Sequence, residues 1–234
     1  MSRVCVWGLG VLFCVACGAA PSTASAPRTS AQPTPTQTAP GETEASIDPA
    51  LVALRADPSW LLPADACPRD VLPVTRADSG DWLAERCDED LGGCLGRCRA
   101  NEPEACYAAA LEAQRWSEER LSEALFLRGC QLGHASACTN RAAGILMLEP
   151  QRADRFSCSA RTFEETCRRR DAWGCTMYGE ALLYGNGVPA DSEQARSVLP
   201  FACGLDADHE ACIKARVLLE ELERGSRDPK SPLM

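Results

Sequence analysis

Fifteen cysteines in 234 residues are the side chains of this sequence best equipped for chemistry. Thiolates bind zinc or act as nucleophiles, and in an oxidising compartment cysteines pair into disulfides. Spacing helps to separate these uses. Cys98 and Cys106, Cys130 and Cys138, and Cys167 and Cys175 each enclose seven residues, and Cys203 and Cys212 enclose eight. Zinc modules usually place ligands about two to four residues apart, so this ladder does not fit a metal site. Cys94 and Cys98 alone have a compatible spacing, which is also ordinary packing along a helix. The ladder therefore reads as disulfide staples if the chain is exported, and no metal is expected.

Other chemistry finds little support. His134 and His209 lie a few residues before Cys138 and Cys212 and are expected to be exposed loop residues. A general base also needs a nucleophile within hydrogen-bond reach, and the chain has no Gly-x-Ser-x-Gly elbow. A serine β-lactamase needs Ser-x-x-Lys. The residues three before the only lysines, Lys214 and Lys230, are Ala211 and Arg227, and Lys-Thr-Gly is absent. Gly185-Asn186-Gly187 lacks the Gly-Lys-Ser/Thr of a phosphate loop and reads as a turn. Net charge is -9, without the basic footprint that nucleic acid requires. We expect no catalytic residue and no cofactor.

The N-terminus bears on compartment. A short positive start, Met1-Ser2-Arg3, precedes 13 apolar residues, 4–16. That run is too short to span a bilayer and suits a signal sequence. Cys14-Val15-Ala16-Cys17-Gly18 resembles a bacterial lipobox, departing from it at Cys14, where leucine is usual. The resemblance implies removal of residues 1–16 and lipidation of Cys17. An ordinary secretory peptide cut near Ala20 is the alternative. On either reading the chain is exported and disulfides are permitted. Gly18, where an aspartate would signal retention, implies the outer membrane by resemblance to enteric sorting rules. Residues 18–49 hold six prolines, ten serines and threonines, and no aromatic residue. Such a stretch cannot bury a core, so residues 17–50 are expected to form a disordered tether.

The elements that must position the ladder follow. Residues 51–90, interrupted by Pro58, Pro63, Pro68 and Pro73, are expected to cap the first repeat. Ser79-Gly80-Asp81 there could cap a helix from Trp82. Residues 91–223 read as helical. The helices expected are 105–114, with Cys106, Ala109, Ala110 and Ala113 on one face, then one capped by Ser117 and running to Cys130, with Gly133 as its stop. Then come 135–148, 153–169, 172–184, 192–205 and 210–223, with a polar tail over 224–234. Trp116, Tyr107, Trp173, Tyr178 and Tyr184 are expected to pack between helices, and Arg168, Arg169 and Arg170 to form a solvated helix end.

The joints repeat at intervals of 32, 37 and 36 residues. Each sets one cysteine at the end of a second helix and the other in the first turn of the next first helix. Tyr178, Gly179, Leu182, Tyr184, Gly185, Gly187, Val188, Pro189, Asp191, Ala195 and Cys203 resemble the Sel-one-like repeat, a relative of the tetratricopeptide repeat. The closest likeness is to its cysteine-rich secreted members. In that family the Gly-x-Gly-Val turn joins the two helices of a unit and a disulfide joins neighbouring units. The resemblance implies an all-α solenoid of about three and a half units and a non-enzymatic scaffold that binds an unidentified protein or peptide in the cell envelope. Some cysteine-rich members are described as penicillin-binding or β-lactam-hydrolysing, so an enzyme acting on β-lactams or peptidoglycan fragments is the second reading. With Cys5, Cys14 and Cys17 set aside, Cys67, Cys87, Cys94 and Cys158 remain outside the ladder. Cys87 with Cys94 resembles one more joint, and Cys67 with Cys158 is left by default.

Overall fold

A computed structural model describes residues 47–61, 65–74, 87–204 and 207–227. Among these the regular secondary structure is entirely helical: α1 (Pro49–Ala56), α2 (Pro68–Val71), α3 (Leu91–Arg99), α4 (Pro103–Arg115), α5 (Glu119–Gln131), α6 (Ala135–Leu148), α7 (Arg155–Arg168), α8 (Ala172–Tyr184), α9 (Ser192–Val198), a 3₁₀ turn (Leu199–Cys203) and α10 (Glu210–Arg227). No helix among the described residues is long and apolar enough to cross a membrane. The lipobox with Cys17, the signal segment 1–16, nearly all of the tether, Ser79–Asp81 and Lys230 lie outside the described residues.

From α3 onward each helix packs on the next, and α6 packs on α8 and α8 on α10, so the helix pairs stack in a repeat-like series. Alanine makes this close stacking possible. Ala105, Cys106, Ala109, Ala110 and Ala113 of α4 are fully buried, as the helical spacing predicts. One apolar cluster runs from Leu51 to Ala137 and a second from Ala142 to Leu222.

The first three turns between units share one construction. Glu102 N–H donates to the Arg97 carbonyl, His134 N–H to Gly129 and Asp171 N–H to Thr166, each closing a six-residue loop. The residue just before each donor has positive φ: Asn101 at 73°, Gly133 at 102° and Arg170 at 65°. This is the Schellman arrangement, which satisfies the last carbonyls of a helix. It turns the chain within two residues and brings the cysteines at the two helix ends together. Across the Cys98–Cys106, Cys130–Cys138, Cys167–Cys175 and Cys203–Cys212 joints the Cα atoms lie 4.5, 4.6, 4.3 and 4.6 Å apart.

Within the third unit Gly185 (φ 73°) ends α8 and Gly187 (φ 80°) follows. A Cβ on Gly187 would sit 2.2 Å from the Phe156 carbonyl oxygen, so only glycine fits there. Asp191 then caps α9, accepting from Gln194 N–H at 2.9 Å.

Several expectations need correction. Ser117 is not an N-cap: it takes φ 55° and closes α4, its N–H bonded to the Gln114 carbonyl, while Glu118 precedes α5. The helix expected over 192–205 stops at Val198 because Pro200 follows and tightens the chain into 3₁₀ geometry. At the other end α10 runs past residue 223 to Arg227, its own Leu218 and Leu222 buried. The tether boundary at 50 is also late, since Asp48 caps α1 through Ala50 N–H and Pro49 suits its first turn. Residues 51–90 cap the first unit only in part. α1 packs on α3, but α2 lies across α5, α6 and α7.

Candidate functional site

The ionisable groups are largely engaged within the fold. Asp171 caps α8 through Gly174 N–H at 2.6 Å and also accepts from Thr139 Oγ1 at 2.7 Å and Ser136 Oγ at 2.6 Å. It ties α6 to α8. Arg141 is wholly buried and pairs with Glu123 at 2.7 Å and with Glu149. Burial pushes Glu123 up to about 7 against the pull of Arg141. A Cβ on Gly144 would fall 2.1 Å from Glu123 Oε2, so the glycine leaves room for this carboxylate between helices.

His134 corrects the expectation of an exposed loop residue. It is fully buried, its ring stacked on Tyr107 at 4.5 Å between centroids. Its Nδ1 accepts from Ala137 N–H at 3.3 Å, so it serves α6 as Asp171 serves α8. Burial lowers its pKa to about 4, leaving it neutral at physiological pH. His209, half-buried, likewise accepts from Ala211 N–H at 3.2 Å. Neither imidazole faces a nucleophile in these contacts. Lys214 is bonded to Glu180 at 3.1 Å.

Asp88 and Glu112 form a carboxyl pair in a cavity of about 350 Å³ that Asp48, Leu91, Arg115 and Trp116 also line. Burial, then the hydrogen bond to Asp88, pushes Glu112 up to about 7, while the same bond lowers Asp88. Carboxyls split in this way are the raw material of acid–base catalysis. Here Arg115 bridges them at 2.5 Å and 3.1 Å, clamping the Cys87–Cys94 segment to α4. Among the described residues no cluster of three or more His, Cys, Asp or Glu could hold a metal.

The cysteines stand as follows. Six pairs lie at disulfide distance: the four joints, Cys87–Cys94 and Cys67–Cys158, the last two with Cα atoms 5.7 and 5.8 Å apart. No cue in the sequence marks Cys67 and Cys158, 91 residues apart, as partners. Nor does the sequence announce that Arg169 is a half-buried contact, not a solvated end, donating to the Pro73 carbonyl at 2.6 Å. Of the aromatics, Tyr178 is buried and Tyr107 and Trp116 pack on the first cluster, whereas Trp173 and Tyr184 are 38% and 39% exposed.

The candidate site is the groove between α7 and α9, floored by Tyr178 and by Cys167 of the Cys167–Cys175 joint. It encloses about 320 Å³ and is walled by Glu164, Arg168, Arg170, Gln194, Val198 and Phe201. Gln194 Nε2 donates to Tyr178 Oη at 3.2 Å, which fixes the floor. Phe201 is 63% exposed. The arrangement offers apolar contact with two guanidinium groups at its edge, which is recognition chemistry. Comparisons of the chain with protein-family models, with characterised proteins and with solved structures find no match.

Proposed function

We propose that this protein is a non-enzymatic lipoprotein of the bacterial cell envelope. Its helix pairs form a disulfide-stapled α-solenoid of Sel-one-like type, held from the membrane by a tether and anchored through Cys17. The solenoid is an interaction scaffold for a protein or peptide. One observation carries this reading. The ionisable groups are tied into caps and inter-helix bridges, while the α7–α9 groove leaves Phe201 and Val198 open beside Arg168 and Arg170. Stacked repeats favour extended binding surfaces over enclosed active sites. Disulfide pairing of this density suits an oxidising compartment.

The test is capture from envelope extracts with the mature, oxidised chain, together with a nitrocefin assay. A specific partner and no turnover are expected. Turnover of nitrocefin with no partner above background would overturn the proposal. Anchoring is tested separately by palmitate labelling, which should disappear in Cys17→Ser; unchanged labelling would remove Cys17 as the acceptor.

A further inference from the structure

The chain fills one of its own grooves. Segment 67–74 lies between α5 and α7, across α6. The Cys67–Cys158 disulfide fastens one end, and Arg169 donates to the Pro73 carbonyl at the other. Between them Arg69 N–H donates to Thr162 Oγ1 at 3.2 Å and the Arg69 guanidinium lies 3.8 Å from Glu165. The Pro68 carbonyl approaches Cys130 Sγ at 3.3 Å, and Val71 and Leu72 pack on the Cys130–Cys138 joint. A proline-opened turn with its apolar residues on a joint is therefore a ligand this architecture accepts.

The repeat maps that groove onto the next. Cys130 and Cys167 are equivalent, 37 residues apart, and so are Cys167 and Cys203, 36 apart. Among the α7 residues that hold the segment are Cys158, Thr162 and Glu165, and Arg161 lies 3.5 Å from Asp70. Moved by 36 the first three become Gln194, Val198 and Phe201, all three of which line the α7–α9 groove, as does Cys167. The open groove is thus the repeat-equivalent of the filled one. The differences say what it would take. Gln194 removes the disulfide anchor, so the occupant need not be covalent. Phe201 replaces the carboxylate that meets Arg69, so an apolar residue belongs at that place. Arg168, already paired with Glu164 and Glu165, and exposed Arg170 stand at the rim. They favour an acidic side chain.

We propose that the α7–α9 groove binds a short peptide segment of a partner protein, lying as residues 67–74 lie in the groove before it. It is a proline-opened turn with an apolar residue on Val198 and Phe201 and an acidic one at Arg168 and Arg170. This rests on the scaffold reading and names its site.

The probe is a synthetic peptide copying residues 66–74 with Cys67→Ser and Arg69→Leu, titrated into the full oxidised chain by calorimetry. Saturable one-to-one binding is expected, weakened at least tenfold by Val198→Asp and by Arg168→Glu with Arg170→Glu. Phe201→Ala, at an exposed position that leaves the fold intact, should weaken it similarly. No saturable binding, or binding indifferent to all three changes, would overturn the proposal. Binding seen only after removal of 228–234 would make the chain's own tail the occupant and overturn it too. A partner captured equally well by the parent chain and by Phe201→Ala would sink this groove but leave the scaffold reading standing. Capture by neither would sink both.

Discussion

Glu112 is a carboxyl group that the fold holds in its protonated form well above the ordinary range. Its pKa in the folded chain lies near 7, raised from about 4.5 by burial and by donation to Asp88. A group raised on folding binds its proton more tightly in the native state, so its stabilising contribution is complete below its unfolded pKa. That contribution is lost as pH rises through the folded value. Glu123, raised for the same first cause, adds to the trend. Between pH 5 and 6.5 the neutral, buried His134 works the other way, so the melting temperature of the oxidised protein should fall most clearly between about pH 6.5 and pH 8. Glu112→Gln should reduce the fall without abolishing it, and a flat profile in the parent chain would refute the assignment. Glu123 also carries a charge role. Replacing it with alanine takes from the wholly buried Arg141 the carboxylate that lies 2.7 Å from its guanidinium. Breaking a buried pair costs about 3–5 kcal/mol, which urea titration of Glu123→Ala should register. A loss below 1 kcal/mol, within the range of ordinary surface pairs, would mean that Arg141 finds water.

Among the elements, the turns decide the geometry, and their chemistry was only partly legible. Glycines at 133, 185 and 187 advertise positive φ in the sequence. Asn101, Ser117 and Arg170 do the same work without advertising it, because the Schellman bonds compel the conformation, joined at Asn101 and Arg170 by stapled helix ends. That is why Ser117 read as a cap. A left-handed non-glycine residue costs about 1–2 kcal/mol, partly offset by the extra freedom glycine brings to the unfolded chain. Ser117→Gly should therefore stabilise the protein by about 0.5–1 kcal/mol, seen as a raised urea midpoint. An unchanged or lowered midpoint would mean that the serine hydroxyl supplies a compensating bond. At Gly187 the expectation reverses. Alanine there combines a left-handed φ with collision against the Phe156 carbonyl. Overpacking of that kind costs about 1–3 kcal/mol, and Gly187→Ala should lower the midpoint accordingly. The joints and the alanine face of α4 were readable because spacing within a helix and a nearest-neighbour turn set them. His134 was not. Its burial depends on Tyr107, which belongs to the previous helix pair and closes over it.

At the scale of the whole molecule, the sequence pattern describes a series in which each unit touches its neighbours, and local spacing can reveal such a series. The Cys67–Cys158 link is the exception. It joins the chain's entry to its middle across 91 residues and lays α2 over α5, α6 and α7. A repeat array gains stability from neighbouring interfaces and can fray from its ends. A long-range link instead couples the entry segment to the second and third units, so that opening either exposes the other. On the chain-entropy model a loop of this length contributes about 4–5 kcal/mol, more than any of the short joints, which close loops of nine or ten residues. Two consequences separate this link from the joints. Cys67→Ser with Cys158→Ser should lower stability by roughly that amount. It should also make the Arg69 amide, now hydrogen-bonded to Thr162 Oγ1, exchange with solvent far faster than amides inside α6 or α8. Cys98→Ser with Cys106→Ser should cost about 2–3 kcal/mol and leave the Arg69 amide protected. If both pairs of substitutions release that amide alike, the link is one staple among six. If only the first does, the molecule holds its entry segment in the α5–α7 groove by a covalent bond that the α7–α9 groove lacks.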